Sequence, residues 1–238
     1  HRHPCTMTDE NDFPEFEKRI GVVFRDSALL KQAFTHRSYL NEHRDEVGAH
    51  NERLEFLGDA VLELAVTKHL FTKYPEKTEG DLTAYRAALV NTNTISSVGA
   101  ALGMNDHLLL SKGEARDTGR ARQYILANVF ESVIGAIYLD QGYDAAEGFI
   151  SRFIFPLTED VVSKRLWQDS KSRFQESAQE AVSVTPTYKV LEESGPDHDR
   201  HFTVGVFLGG ELIAKGDGKS KQEAEQSAAA AGLEVKGW

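Results

Sequence analysis

Acidic residues recur at a helical spacing in segment 51–62. Glu52, Glu55 and Asp59 occupy positions i, i+3 and i+7, so on an α-helix their side chains lie along one face. Carboxylates on one stripe repel each other, and a bound divalent cation would remove that penalty because hard cations prefer oxygen ligands. The spacing is therefore compatible with a metal centre, although a solvated acidic face is the commoner explanation of spacing alone.

Gly58 lies within this acidic segment, where a helix gains nothing from glycine. Glycine inside a helix costs about 1 kcal/mol relative to alanine, so its presence indicates that another backbone or side chain approaches closely. Leu54 and Val61 lie on a different face and can point into a core. We predict one long helix from about Asn51 to Thr72, which Pro75 prevents from continuing.

The other residues up to about position 163 also follow a helical periodicity, without the alternation of a strand. Cap residues and glycines set the predicted boundaries. The sequence predicts an N-cap at Asp26, a helix that begins at Thr78 or Asp81 and continues, with or without a bend, to Gly103, a charged loop from Ser111 to Arg122, a helix from about Gln123 to Leu139 that stops at Gly142, and a last helix capped by Asp144. We therefore predict an all-α domain.

Beyond about residue 168 the periodicity changes. Alternating apolar and polar residues predict three strands, and Gly209-Gly210 is a hairpin signal between the last two. The predicted elements are a helix at 170–182, strands at 187–191, 202–207 and 211–214, and a helix at 221–233. The order α-β-β-β-α predicts a small α+β domain.

These patterns divide the 238 residues into two domains, and 40% hydrophobic residues suffice for two modest cores. The predicted segments are a leader or expression remnant at 1–6, the all-α domain at 7–163, a linker at 164–168 and the α+β domain at 169–238.

Charge and cysteine content limit the classes of function. Cys5 is the one cysteine, so an intrachain disulfide is excluded. With no signal-peptide pattern and no long apolar run, the sequence predicts a cytoplasmic protein without membrane contact. The net charge of −10 argues against non-specific nucleic-acid binding, but it suits carboxylates gathered around a divalent cation.

Three longer motifs carry a family resemblance. The run NERLEFLGDAVL at 51–62 resembles the signature motif of the ribonuclease III family, and the similarity continues through EGDL at 79–82 and ILANVFE at 125–131. Chance similarity over the first motif alone is improbable. The resemblance extends into the second domain and covers nearly all of the chain from Phe13 to Val235.

The resemblance implies a metal centre built from two helices. Its implied magnesium ligands are Glu55, Asp59, Asn128 and Glu131, with Asp59 and Glu131 catalytic and Glu52 a supporting acidic residue. Most members have aspartate where this chain has Asn128. An amide oxygen ligates magnesium without adding charge, and magnesium retains waters and needs few protein carboxylates. We therefore predict a working site with altered metal demand.

The implied activity is that of an endoribonuclease that uses Mg²⁺, with Mn²⁺ as an alternative ion, to hydrolyse double-stranded RNA in RNA processing, ribosomal RNA included. The products would carry 5′-phosphate and 3′-hydroxyl ends. The resemblance also implies a homodimer in which Phe56 enters a cavity of the partner, although the sequence alone favours ordinary core packing for that residue. The alternative is a double-stranded-RNA-binding protein that does not cleave, because Asn128 replaces the usual aspartate.

The second domain resembles the double-stranded-RNA-binding domain in FQE at 174–176, GPDH at 195–198, FTV at 202–204 and GKSKQEAE at 218–225. Such domains read the shape of an A-form helix across two minor grooves and the phosphates between them. The implied contacts are Gln175 and Glu176 in one groove, His198 in the next, and Lys219, Ser220 and Lys221 on phosphates at a helix N-terminus.

The charge of the second domain weakens this expectation. The family commonly has a second lysine where Gln222 stands, and residues 168–238 contain eight Lys and Arg against twelve Asp and Glu, a net charge of −4. Because phosphate contacts supply most sequence-independent affinity, we predict that this domain alone binds weakly and with strong salt dependence.

Overall fold

The computed structural model describes residues 13–46, 48–163 and 169–238. They form two compact units, one on either side of the predicted linker. The predicted segment at 1–6 and the linker at 164–168 lie outside the described residues. None of the helices that the structure describes is long and apolar enough to cross a membrane.

The first unit is helical throughout its described part, as the sequence predicted, apart from an isolated parallel β-bridge between Thr35 and Leu109. Two short 3-10 turns, Met104–His107 and Phe155–Leu157, join longer elements. The α-helices are α1 (Phe13–Ile20), α2 (Ser27–Ala33), α3 (Arg37–Glu42), α4 (Glu52–Lys73), α5 (Glu79–Val90), α6 (Thr92–Ala101), α7 (Lys112–Arg116), α8 (Arg120–Gln141), α9 (Tyr143–Phe153) and α10 (Thr158–Ser163).

Helix α8 forms the centre of this unit. Between Val129 and Ile137, every residue of α8 except Glu131 is buried. A helix that is apolar on nearly all sides must be surrounded by other elements, and α2, α4, α6 and α9 all pack on α8. Glu131 is therefore the one partly exposed position of this stretch, with buried residues on both sides of it along α8.

Helices α4 and α8 cross with their backbones in close contact. A Cβ atom at Gly58 would overlap the carbonyl oxygen of Glu131, and a Cβ at Gly135 would overlap the carbonyl oxygen of Leu54. Each helix thus contributes a glycine to the crossing. The predicted close approach at Gly58 is confirmed, and α8 is its partner.

The predicted helical pattern from 78 to Gly103 divides into two helices, with the break at Asn91. Thr78 caps α5 as predicted, but α5 ends at Val90 and a second helix, α6, follows. Asn91 adopts an extended conformation, and its side chain accepts a hydrogen bond from the backbone N–H of Thr94 at 2.8 Å. This capping bond starts α6 in a new direction, which helical periodicity alone does not show.

Two local predictions failed, while the cap at Asp26 and the end at Gly142 are confirmed. The predicted loop at 111–122 contains α7, which the Ser111 side chain caps by accepting from the N–H of Glu114. Asp144 lies in the first turn of α9 and does not cap it, because Gly142, with φ of 90°, occupies the N-cap position.

The second unit has the predicted order α-β-β-β-α. Its antiparallel sheet has the strand order β1-β2-β3, and the strands extend beyond the predicted ranges. Gly209 and Gly210 form the predicted hairpin turn with φ of 56° and 89°, the left-handed region that such a turn requires at both positions. The elements are α11 (Ser170–Val182), β1 (Thr187–Ser194), β2 (His201–Leu208), β3 (Glu211–Gly218) and α12 (Lys221–Lys236).

Helix α12 packs closely on β3 because two glycines remove the side chains between them. A Cβ at Gly216 would overlap the backbone at Ala228, and one at Gly218 would overlap the backbone at Ala224. Phe174 of α11 is fully buried in the same core. The sheet and both helices thus form one small core, which fixes where the N-terminus of α12 lies.

We expect Gly58→Ala to destabilise the first unit by about 1–3 kcal/mol, the usual cost of overpacking, because the added methyl group overlaps the α8 backbone. Thermal unfolding monitored by circular dichroism measures the change. Gly148→Ala in α9 is the matched control, since a Cβ there meets no atom within 4 Å, and it should leave stability unchanged or raise it. Equal stability of the two variants would contradict the close crossing.

Candidate metal centre and nucleic-acid surface

The crossing of α4 and α8 brings acidic side chains of the two helices together. Glu55 and Asp59 flank Gly58 on α4, and Glu131 is the α8 residue whose carbonyl faces Gly58. Burial raises the pKa of the Glu131 carboxyl to about 8, and repulsion by the carboxylates of Asp59, Glu55 and Glu63 adds to the rise. The crossing therefore brings carboxylates of α4 within electrostatic reach of Glu131.

Burial and neighbouring carboxylates also disfavour ionisation of Glu55, to a smaller extent than for Glu131. Burial raises the pKa of its carboxyl group, and the neighbouring carboxylates of Glu52 and Asp59 raise it further. Like charges that are drawn together in a partly buried position disfavour ionisation. The centre is thus strained electrostatically in the absence of a cation.

The donor set fits a hard divalent cation. All the charged groups that act on Glu131 are carboxylates, and carboxylate and amide oxygens are the ligands that magnesium prefers. In the described residues, no three His, Cys, Asp or Glu side chains already converge on one metal position. The fit therefore rests on the oxygen chemistry of the donors.

Asn128 and Glu52 occupy the margins of this centre. Asn128 is half-buried on α8, one turn before Glu131, and this spacing places it on the same side of the helix. Glu52, at the start of α4, lies 4.0 Å from the Arg37 guanidinium and 3.9 Å from Nδ1 of His50. Glu52 therefore faces the Arg37 cation and the His50 ring.

Asn51 is a structural residue of the centre that sequence reasoning did not single out. It is 4% exposed, and its side-chain amide donates to the carbonyl of Ala33 at 3.0 Å. Its own carbonyl accepts from the Glu55 N–H at 2.9 Å and from the Ser132 hydroxyl at 3.2 Å. These bonds connect α2, α4 and α8 directly beside the carboxylates, and an asparagine before an acidic run was the only available signal.

Phe56 is 83% exposed and does not pack in the core of its own unit. It begins a row of exposed residues that we call the α4 stripe: Phe56, Ala60, Leu64, Thr67 and Phe71. Their spacing of i, i+4, i+8, i+11 and i+15 puts them on one side of the helix.

A cavity of about 530 Å³ opens beside Phe56, large enough for an aromatic side chain. It lies between the start of α4, α2 and the end of α8. Its lining residues are Leu29, Gln32, Ala49, His50, Arg53, Leu54, Phe56, Leu57 and Leu139. An exposed aromatic residue thus adjoins an apolar cavity, as a self-complementary interface requires.

In the second unit, several predicted RNA contacts come from one end of the sheet. Ser194 pairs with His201, and Phe202 pairs with Gly218, so the β1–β2 loop with His198 and the start of α12 adjoin the same strand ends. His198 is exposed in that loop. Lys219, Ser220 and Lys221 are exposed where α12 begins, and Gln175 and Glu176 are exposed on α11.

Ion pairs and caps occupy several polar groups of this surface. Lys171 lies 2.8 Å from a carboxylate oxygen of Glu225, and Arg200 pairs with Glu193. The Ser220 side chain accepts from the N–H of Glu223 at 3.1 Å, although its hydroxyl hydrogen can still donate to a phosphate. The local balance of charge agrees with the predicted weak binding.

Comparisons with known proteins agree with this architecture. The family described as ribonuclease-III-like matches residues 26–158, more than half of the chain, and the double-stranded RNA binding motif matches residues 170–236. Ribonuclease 3 of Bacillus velezensis is 49% identical over 217 residues, covering 91% of this chain and 87% of that protein. Ribonuclease 3 of Geobacillus kaustophilus is 47% identical over 223 residues, covering 94% and 90%.

The first unit also resembles a solved structure. The nuclease domain of ribonuclease III from Campylobacter jejuni aligns with a TM-score of 0.56 at 37% identity, covering 61% of this chain and 97% of that domain. That structure is described as showing flexibility in a region involved in dimer formation. The aligned part of this chain is similar in length to the helical unit described above.

We expect Glu131→Gln to stabilise the protein in the absence of divalent metal. The pKa of the Glu131 carboxyl is raised in the folded state, to about 8. Such an acid destabilises the fold progressively as the pH rises from the pKa of the unfolded state to the pKa of the folded state. At pH 9 the free energy of unfolding of the variant should therefore exceed that of the wild type by about 1–3 kcal/mol. One pKa unit corresponds to ~1.4 kcal/mol, and partial exposure of Glu131 screens its charge.

Urea unfolding in EDTA at pH 5 and pH 9 measures this difference, which should vanish at the lower pH. Glu76→Gln, in the exposed loop after α4, is the control and should show no gain. A wild type as stable as Glu131→Gln at pH 9 would contradict the strained carboxylate.

Proposed function

This chain belongs to the ribonuclease III family, and on that premise we propose that it is an endoribonuclease that hydrolyses phosphodiester bonds of double-stranded RNA. The observation that carries the proposal is the crossing that places Glu55 and Asp59 beside Glu131, in a chain whose second unit is a double-stranded RNA binding motif. The products would carry 5′-phosphate and 3′-hydroxyl ends, in RNA processing.

The proposed metal is Mg²⁺, with Mn²⁺ as an alternative, held by Glu55, Asp59, Asn128 and Glu131. Bound there, the ion would activate water and stabilise negative charge on the phosphate and the leaving oxygen. The chain itself supplies the oxygen ligands and their geometry. With a pKa of about 8, Glu131 holds a proton at neutral pH in the free protein, so metal binding competes with protonation of that carboxyl.

The second unit would hold the duplex while the first unit cleaves it. We propose that Gln175 and Glu176 contact one minor groove and His198 the next, with Lys219, Ser220 and Lys221 on the phosphates between them. The support is the exposure of all six residues and the position of the His198 loop beside the start of α12.

We propose a homodimer through the α4 stripe, with Phe56 of each protomer seated in the partner's cavity. A twofold interface repeats the same contact twice, and an exposed phenylalanine beside an apolar cavity on the same chain satisfies that requirement. Each protomer would supply one acidic centre, and the pair of centres would address the two strands of the duplex.

Family membership favours the nuclease over the alternative of a binding protein that does not cleave. The compared relatives are named ribonuclease 3, and three of the four proposed ligands are carboxylates. We place the activity in the cytoplasm because the single cysteine indicates no dependence on disulfides.

Purified wild-type protein with magnesium should cut a long RNA duplex, and Asp59→Asn should abolish single-turnover cleavage while retaining duplex affinity. The carboxylate belongs to the proposed centre, whereas most RNA contacts lie elsewhere. Glu76→Gln is the matched control and should cut like the wild type. Cleavage by Asp59→Asn at the wild-type rate would refute the mechanism.

Asn128→Asp should lower the magnesium concentration for half-maximal cleavage about tenfold. A formal charge a few ångströms from the cation is worth on the order of 1–4 kcal/mol, and the loss of hydration offsets part of it. Titration of magnesium in single-turnover assays compares the two proteins. Identical curves would remove Asn128 from the ligands, and cleavage only by the aspartate variant would identify the wild type as a silent relative.

Phe56→Ala should weaken the dimer, because it leaves the partner's cavity unfilled; truncation of a buried aromatic anchor typically costs about 2 kcal/mol or more. Sedimentation equilibrium of the full chain measures the dissociation constant. Val235→Ala in the second unit, where Val235 is 65% exposed, is the control. A wild-type monomer at micromolar concentration would exclude the proposed interface.

A further inference from the structure

We propose that Arg86 is a positioning residue that holds the Glu63 carboxylate away from the metal centre, so that the Glu63–Arg86 pair sets the metal affinity of that centre. The inference rests on the metal centre of the proposed function. It concerns two residues that belong to none of the motifs singled out above.

Arg86 is fixed from two successive turns of α4. Its Nε lies 3.1 Å from Oε2 of Glu63, and its Nη1 donates to Oγ1 of Thr67 at 2.9 Å. The planar guanidinium makes both contacts at once, through two nitrogens held in a fixed geometry. The pair therefore holds the Glu63 side chain toward α5.

Glu63 lies close to the acidic centre. It follows Asp59 by one turn of α4, on the same side of the helix. A carboxylate at this position is within the electrostatic reach of any cation bound between α4 and α8. Without its arginine, Glu63 would add a full negative charge to a centre that already contains like charges.

A contribution to folding stability does not account for this ion pair. Both side chains are partly exposed, 35% for Arg86 and 39% for Glu63, and pairs with such exposure contribute little to stability. Its consequence is expected at the centre, because Glu63 lies one turn of α4 from Asp59. Pairing with Arg86 offsets the charge that Glu63 would otherwise add beside Glu55 and Asp59.

This arrangement predicts opposite effects for the two halves of the pair. Arg86→Gln removes the cation that pairs with Glu63 and should tighten binding of a divalent cation about three- to tenfold. The reason is that the unpaired Glu63 carboxylate attracts the cation through partly solvated protein. Glu63→Gln leaves the Arg86 cation uncompensated and should weaken binding by a similar factor. The double variant should return to within about twofold of the wild type.

The test is a titration of the full-length protein with Mn²⁺ alone, in which electron paramagnetic resonance reports the free ion. Asp59→Asn is the reference that removes a proposed ligand. Thermal unfolding of each variant verifies that it is folded, and affinity for a metal-free RNA duplex is measured in parallel.

The outcomes separate the possible roles. Recovery in the double variant supports the pair as the device that sets metal affinity. If the double variant binds as weakly as Glu63→Gln, Glu63 is itself a ligand and the proposal fails. Unchanged Mn²⁺ binding in Arg86→Gln, or a loss of duplex affinity without a change in Mn²⁺ binding, also overturns it. If Asp59→Asn binds Mn²⁺ like the wild type, the metal centre of the proposed function is wrong instead.

Discussion

The backbone contact between α4 and α8 is the constraint on which the rest of the first unit depends. Gly58 and Gly135 allow the two helices to approach until a Cβ on either would overlap a carbonyl oxygen of the other. That approach places a helix with acidic residues against the most deeply buried helix of the unit. A larger residue at either glycine would separate the helices, and the carboxylates would separate with them.

Close approach of the helices has an electrostatic cost. Glu131 is surrounded by buried residues of α8 and by the charges of carboxylates on α4, so its neutral form is favoured. Such conflicts are typical of functional sites, where a ligand supplies what the fold lacks. The buried hydrogen bonds of Asn51 hold α2, α4 and α8 in place despite this repulsion.

The second unit addresses a different physical problem, the recognition of a polyanion by a segment of negative net charge. Two of its exposed lysines, Lys219 and Lys221, lie at the start of α12, where backbone N–H groups also favour anions. The antiparallel register places the His198 loop beside that helix start. The placement of these groups on one surface, more than the total charge of the unit, therefore suits binding to an A-form duplex.

The sequence by itself determined the features that depend on neighbours along the chain. The periodicity of α4, the caps at Asp26 and Thr78, the hairpin at Gly209-Gly210 and the order α-β-β-β-α were all predicted, because each follows from local propensity or turn chemistry. The acidic positions of the centre were also predicted, from spacing and from a long motif. The alternation of short segments could not fix where strands end, because pairing between strands decides their length.

Only the tertiary structure decided which groups meet across the fold. The hydrogen bonds of Asn51 and the pairing of Glu63 with Arg86 depend on the packing of helices that are distant in sequence. The exposure of Phe56 has the same origin, since a helix shows which faces are apolar but not which of them its own unit covers. The physical reason is that burial and contact between helices are properties of the packed assembly, whereas periodicity and capping are properties of the segment.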